Sequence, residues 1–440
     1  MIKKIDLDMS RVHNDSTTVK AYGRIAGVTK SGLKMAKGKG KDHRPDLVHL
    51  VFSLTISSDG AVPVHYKTYP GNRTDDTTHI ETWNTVKEIA GRPDFIYVAD
   101  SKVCTSKQLT HIVANGGRVI TVMPNTWGET KIFKDELIAK NIAKKIILKR
   151  KTPQCDYESE YFSLFSGEYE TLDDGYTIYW CLSSIKKKLD KHVRQKRVSR
   201  ADSQLMELST KLNKRDLKTE DKIREEIEAI LNKYRVRDFF KINISKNIEE
   251  IRKHIGKGRP GPDTKYRGTT KTTYTLDWEI DGKRLKKEKR ADGIFPLLST
   301  DRSIGPKEVL TSYKYQPKLE KRFNQFKSVH EAAPILFKNI EKRVEAIMFL
   351  FFIALIIQAV IERRVRMSMK DRAIKSLPVY PEYRKSFYPT TSKIFYNFDG
   401  ISSYKILKNG KVTKEFKDDL SSIQKLLLDL LDINEDDYWG

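Results

Sequence analysis

Three acidic residues stand where a carboxylate could do chemistry. Asp100 ends a short apolar strand at residues 95–99, Asp15 lies beside a predicted strand edge, and Glu320 lies in the first turn of a predicted helix. Carboxylates at strand ends project into the crevice in which open α/β sheets bind ligands. Two hard divalent cations held by oxygen ligands can activate a nucleophile and stabilise a leaving oxygen in phosphodiester chemistry. Taken singly, each acid is more often a cap or turn residue, so the prediction depends on all three together.

The elements that would position these acids alternate between strand and helix over residues 1–125. An apolar run, the turn Ser58-Asp59-Gly60 and a second apolar run predict a β-hairpin, because turn residues between two such runs reverse the chain. Periodic apolar residues predict helices in between. Strand, hairpin, helix, strand, helix, strand indicates a mixed α/β sheet with crossover connections. The predicted elements are strands at 47–57, 62–69, 95–99 and 118–123 and helices at 77–90 and 106–114.

Residues 130–290 interrupt this pattern with short strand-like pieces and a long charged stretch of helical period, and they predict an insertion. The α/β pattern resumes with a strand near residue 294 and a helix carrying Glu320. The predicted domains are 1–128 and 291–375 for the two parts of the α/β core, 129–290 for the insertion domain and 376–440 for a C-terminal tail region.

Charge and cysteine content narrow the class of protein. Lys and Arg number 83 against 58 Asp and Glu, a net charge of +25. Such an excess favours a polyanionic partner, because neutralising phosphates releases counterions. The three cysteines lie far apart without a CxxC pair, which disfavours a zinc site or disulfide framework and favours a reducing cytosol.

One apolar run, residues 346–361, must be tested as membrane-spanning. It is bracketed by Glu345 and Glu362 and interrupted by Gln358. A membrane span needs roughly 17–25 apolar residues, so this run is slightly short. We therefore predict a buried core helix and no membrane partner, with a transmembrane helix as the alternative.

The segment around Glu320 resembles the Tyr-Arg-Glu-Lys signature of the insertion sequence family four transposases. Tyr313 stands seven residues before Glu320 and Lys327 seven after it. That spacing puts Glu320 and Lys327 two turns apart on one helix face. The signature's Arg position is Gln316 here, which removes a charge.

Other segments are similar to the same family, in the same order, over most of residues 10–125 and 290–370. Residues 97–101 resemble the strand that carries the family's second Asp, although Lys102 stands where the family often has Gly. Residues 12–19 resemble the strand of the first Asp, which assigns that role to Asp15. Asp6 and Asp8 are rivals, but neither is followed by a Ser-Thr-Thr run.

The resemblance implies a ribonuclease H-like α/β fold, a mixed sheet flanked by helices and interrupted by a long insertion that is partly β and partly helical. It implies a DDE transposase that cleaves and transfers DNA strands at insertion-sequence ends. Asp15, Asp100 and Glu320 would hold two Mg²⁺ ions, for which Mn²⁺ can substitute. The implied partners are double-stranded DNA, as transposon ends and target, and a second copy in a synaptic homodimer, in the nucleoid-containing cytoplasm of a bacterium or archaeon.

Six residues are predicted to contact DNA: Tyr313, Arg322 and Lys327 around Glu320, and Lys39, Lys41 and Arg44 in a glycine-containing basic loop. Asp15 lies so close to Met1 that the end-recognition domain expected before this core has no room. The alternative function is therefore a truncated or decayed, transposase-derived DNA-binding protein without transposition activity.

Overall fold

The structure, a computed structural model of the 440-residue chain, describes residues 2–21, 36–37, 47–73, 77–150, 160–255, 266–329 and 340–439. The chain divides into two compact units. The first comprises Met1–Pro124, Asp174–Thr177 and Leu297–Gly440, and the second comprises Asn125–Asp173 and Ile178–Pro296. The chain thus leaves the first unit after Pro124, where the sequence predicted a boundary after residue 128. Residues 376–440, predicted as a separate tail region, lie in the first unit.

The first unit begins with a hairpin-rich stretch followed by two strand–helix repeats. β3 is buried along nearly its whole length, as its apolar and β-branched composition predicts. The elements are β1 (Arg11–Ala21), β2 (Ala36–Lys37), β3 (Val48–Ser57), β4 (Pro63–Pro70), α1 (His79–Ala90), β5 (Ile96–Val98), α2 (Ser106–Ala114) and β6 (Arg118–Val122).

The second unit is partly β and partly helical. Two helices pack on the base of a long two-stranded hairpin, and their apolar residues at helical spacing, among them Leu205, Leu208 and Ile227, form its core. The elements are α3 (Gly128–Ala139), β7 (Lys144–Arg150), β8 (Glu160–Phe165), β9 (Thr177–Ser183), α4 (Ser184–Lys211), α5 (Glu220–Tyr234), β10 (Phe240–His254), β11 (Tyr266–Ile280) and α6 (Gly282–Glu288).

The chain then returns to the first unit. Pro306 and Pro317 stand in the first turns of two successive helices, where a missing N–H costs no hydrogen bond. The elements are β12 (Ile294–Ser299), α7 (Pro306–Tyr313), α8 (Gln316–Asn324), a π-helical turn (Gln325–Val329), α9 (Ile340–Asp371), α10 (Thr391–Tyr396), β13 (Ser403–Lys408), β14 (Lys411–Lys417), α11 (Ser422–Leu430) and α12 (Glu435–Trp439).

The sheet of the first unit is mixed. β3 is antiparallel to both β1 and β4, whereas β1, β5 and β6 are parallel to one another. The resulting order, β4-β3-β1-β5-β6 with β12 antiparallel beyond β6, is compatible with the ribonuclease H-like fold. The predicted fold class, a mixed sheet flanked by helices and interrupted by a partly β, partly helical insertion, is confirmed.

α8 and α9 cover one face of this sheet. Phe323 and Phe326 pack with Phe52 of β3, and Met348 and Leu355 of α9 complete the same buried cluster. By length and composition alone, residues Val344–Asp371 of α9 could also cross a membrane. One face of α9 is buried as predicted, but Phe349, Leu350 and Ile357 along the same helix are 50 %, 64 % and 53 % exposed. The choice between a core helix and a transmembrane helix therefore stays a prediction.

Candidate active site

The register of β1 and β5 aligns the first two predicted acids. His13 pairs with Val98 in the parallel ladder; Asp15 lies two residues further along β1, and Asp100 lies two residues beyond the end of β5. Neighbouring strands lie about 4.8 Å apart, and residues two positions apart share a face. The register therefore brings both half-buried carboxylates level, where β5 has just ended.

Asp100 is held in place by hydrogen bonds on both sides. Its Oδ1 accepts the backbone N–H of Lys102 at 2.9 Å, and its carbonyl oxygen accepts the hydroxyl of Thr121 on β6 at 2.7 Å. An Asp side chain that caps its own turn in this way replaces a backbone turn bond. The turn thus closes with Lys102 at the position where the family often has Gly.

The two rivals of Asp15 lie before the sheet begins. The Asp8 carboxylate accepts two hydrogen bonds from Ser10, one from its backbone N–H at 2.8 Å and one from its hydroxyl at 2.9 Å. Asp6 has a left-handed backbone, with φ of 46°. Neither residue is in β1, so the alignment with β5 favours Asp15.

The helix that carries Glu320, α8, is docked on β1 beside Asp15. The ring of Tyr315 lies 4.8 Å from that of His13, and Gln316 Nε2 donates to the carbonyl oxygen of Asn14 at 3.4 Å. Leu319 is fully buried in the core while Glu320 is exposed. Gln316 stands at the signature's Arg position, where the sequence indicated only the loss of a charge. In the structure its side chain contacts the strand that carries Asp15. Its partner lies some 300 residues away, so no local signal could have revealed this role.

Tyr313, at the end of α7, has a phenol whose pKa is influenced by all three acids. Its pKa is raised to about 12. Burial is the largest cause, followed by the negative charges of Asp100, Asp15 and Glu320. Because charge–charge effects fade within about 10 Å, all three predicted acids lie within electrostatic range of this phenol.

The donor set fits hard divalent cations. Carboxylate oxygens are the ligands that Mg²⁺ takes, and Mg²⁺ needs only one or two of them because it keeps several waters and binds substrate phosphates. Within the described ranges, no three His, Cys, Asp or Glu side chains are already gathered at metal-binding distance. A metal site at Asp15, Asp100 and Glu320 therefore stays a prediction.

The other signature residue, Lys327, is half-buried and lies in the π-helical turn that follows α8. The spacing of Glu320 and Lys327 predicts one uniform α-helix, but the structure has a π-helical turn between them. π-Helical turns within helices occur frequently at functional sites. A DNA contact by Lys327 or Tyr313 stays a prediction.

Arg322 does not lie at a DNA-accessible surface, and its predicted role is corrected. Only 3 % of the residue is exposed. Nε and Nη2 donate to the carbonyl oxygens of Ala61 and Gly60 at 3.0 and 3.1 Å, and Nη1 lies 3.1 Å from Glu362. A guanidinium this deeply buried, with Nε, Nη1 and Nη2 each engaged by protein acceptors, is not accessible to a DNA phosphate. Arg322 instead joins α8 to the β3–β4 turn and to α9.

The remaining predicted DNA contacts, Lys39, Lys41 and Arg44, lie outside the described residues.

A divalent cation bound at the three carboxylates should lower the pKa of Tyr313 from about 12, by about one unit, because it neutralises the charges that raise it. A titration by ¹³Cζ-tyrosine NMR, with and without Ca²⁺, measures this, and Tyr313→Phe identifies the resonance.

Tyr315 is the matched control for this titration. Its pKa is also raised to about 12, by burial and without a contribution from the three acids. A Ca²⁺ shift of both tyrosines, or of neither, would contradict a cation site at Asp15, Asp100 and Glu320.

Comparison with known proteins gives few matches. No family model and no curated protein matches the chain. Among solved structures, a piggyBac transposase synaptic complex with hairpin DNA is similar over 40% of this chain and 33% of its own, at 11% sequence identity and a TM-score of 0.23. The match spans about a third of that transposase.

Proposed function

We propose that this protein is a DDE transposase that cleaves and transfers DNA strands with divalent cations. The observation that supports the proposal is the register that sets Asp15 level with Asp100, together with the docking of α8, which carries Glu320, on β1 beside Asp15. The net charge of +25 adds a second support, because it favours a polyanionic substrate.

The three acids divide into two roles. Asp15 and Asp100, level on neighbouring strands, would share one cation, and Glu320 on α8 would complete the site of a second. Mg²⁺ is the proposed ion, with Mn²⁺ as a substitute. Bound there, the two cations supply activation of the attacking oxygen and stabilisation of the leaving oxygen.

Tyr313 and Lys327 would position the DNA. Because the pKa of Tyr313 is about 12, its phenol stays protonated near neutral pH and can donate a hydrogen bond to a phosphate oxygen. The ammonium of Lys327 would contact a phosphate nearby. The proposed substrate is double-stranded DNA at the ends of a mobile element, with a second copy of the chain acting on the other end.

A strand-cleavage assay tests the proposal. Purified protein is incubated with a supercoiled plasmid that carries the DNA flanking its coding region, and nicked and linear products are separated on gels. We expect products with Mg²⁺ or Mn²⁺ and none with EDTA, since the carboxylates act through the cation. DNA binding in Ca²⁺, without cleavage in Mg²⁺ or Mn²⁺, would overturn the enzyme and favour the DNA-binding alternative.

A further inference from the structure

Residues 380–396, here called the aromatic segment, expose an unusual number of large rings. Six of its 17 residues are Tyr or Phe, whereas aromatic residues make up 10% of the chain. Tyr383 is 77 % exposed, Tyr388 71 % and Phe387 66 %. Several large exposed rings within one short segment are unusual for a surface and indicate a binding site.

The segment is anchored on its inner side, so the rings stand on a fixed support. Ser386 and Leu377 exchange two backbone hydrogen bonds, of 3.0 and 2.7 Å. Arg366 of α9 donates to the carbonyl oxygen of Pro389 at 2.8 Å. Ile394 is buried in the core formed with α9 and α11. Rings that are already in place lose little conformational entropy on binding.

Cations are interleaved with these rings. Lys393 Nζ lies 5.0 Å from the centre of the Tyr380 ring, and Lys318 Nζ lies 5.6 Å from that of Tyr388. Arg384 also stacks on Tyr380, but Glu382 pairs with it at 2.8 Å.

Lys318 connects the aromatic segment to the candidate active site, since it lies on α8 two residues before Glu320. Lys318 therefore places a positive charge beside both Tyr388 and the helix that carries Glu320.

We propose that the aromatic segment binds an unpaired DNA strand, with bases stacked on Tyr383, Phe387 and Tyr388 and the backbone near Lys318 and Lys393. Stacking suits any base, because every base has a π-face, and cations beside the rings suit the phosphates. A protein partner would match the apolar rings but not the cations between them. The choice of DNA rests on the proposed function.

The test is binding of a fluorescent single-stranded oligonucleotide, measured by anisotropy in EDTA so that no cleavage intervenes. In the triple variant Tyr383→Ala/Phe387→Ala/Tyr388→Ala we expect affinity to fall at least about a hundredfold, since each of the three stacked bases contributes about fivefold or more. Affinity for duplex DNA should change less than about twofold. Tyr388→Trp, which keeps a stacking ring, should bind as the wild type does.

The matched control is Tyr404→Ala/Phe416→Ala, which removes two other exposed aromatic side chains, a cross-strand pair on β13 and β14. It should leave single-strand affinity unchanged. An oligonucleotide of abasic sites, with phosphates but no bases, should bind wild type and triple variant equally.

Three results would overturn the proposal. The first is a triple variant that melts at the wild-type temperature and binds single-stranded DNA as tightly as wild type. The second is an equal loss of affinity for abasic DNA. The third is a variant that no longer self-associates but still binds DNA. If the protein fails to cleave the plasmid but the triple variant still loses single-strand affinity, only the proposed catalytic function is contradicted.

Discussion

Asp100→Asn is expected to abolish DNA strand cleavage while leaving DNA affinity within about twofold of wild type. Asn keeps the shape of the side chain and an Oδ1 that can accept the Lys102 N–H, and the bond from Thr121 reaches the backbone carbonyl. The fold should therefore survive, whereas the negative charge that holds a divalent cation is lost. Loss of a residue that acts within a catalytic set lowers the rate by at least about a thousandfold. Plasmid nicking and anisotropy on duplex DNA measure the two quantities.

Asp94→Asn is the matched control for this experiment. Asp94 lies just before β5, at the strand end opposite Asp100, and its exposed carboxylate pairs with Arg92. The control should cleave DNA at the wild-type rate. The same loss as for Asp100 is expected in Asp15→Asn and in Glu320→Gln. Residual nicking with Mg²⁺ in purified Asp100→Asn would refute the assignment.

Arg322→Ala is expected to lower the free energy of unfolding by about 3 kcal/mol. Breaking a buried ion pair costs about 3–5 kcal/mol, because the remaining charge stays buried without its partner. Glu362, 3 % exposed, would lose Arg322 but keep Arg366 at 3.2 Å, so the lower end of that range applies. The carbonyl oxygens of Gly60 and Ala61 would also lose their donor. Denaturant unfolding followed by circular dichroism measures the change.

Two further variants separate a structural role from a DNA contact. Arg364→Ala removes an exposed ion pair with Asp432 from the same helix as Glu362, and should cost less than about 1 kcal/mol. Arg322→Met/Glu362→Leu removes both charges and should recover much of the lost stability. If Arg322→Ala were as stable as wild type but bound DNA more weakly, the original DNA-contact prediction would be right and the buried ion pair wrong.

Several features could be predicted from the sequence because they are encoded within a dozen residues. Alternating apolar runs and turn residues predicted the hairpin of β3 and β4, the strand before Asp100 and the helices between. The spacing of Tyr313, Glu320 and Lys327 indicated the acid-bearing helix. Local periodicity determines which face of an element is apolar, and hence the fold class and the place of Asp100 just after a strand. It did not place Asp15, which was predicted beside a strand edge and lies within β1.

The tertiary structure alone decided which charged residues face the site. Arg322 and Lys318 both stand two residues from Glu320, yet Arg322 is buried beneath Ala61, 261 positions away, while Lys318 lies beside Tyr388. The Ser-Thr-Thr run already favoured Asp15 over Asp6 and Asp8, and the register of β1 with β5 adds a reason that only the tertiary structure supplies. Burial and pairing of a charge depend on partners that are distant in the chain, and no local pattern specifies them. For that reason the sequence predicted the three carboxylates, whereas packing determined the role of each neighbouring cation.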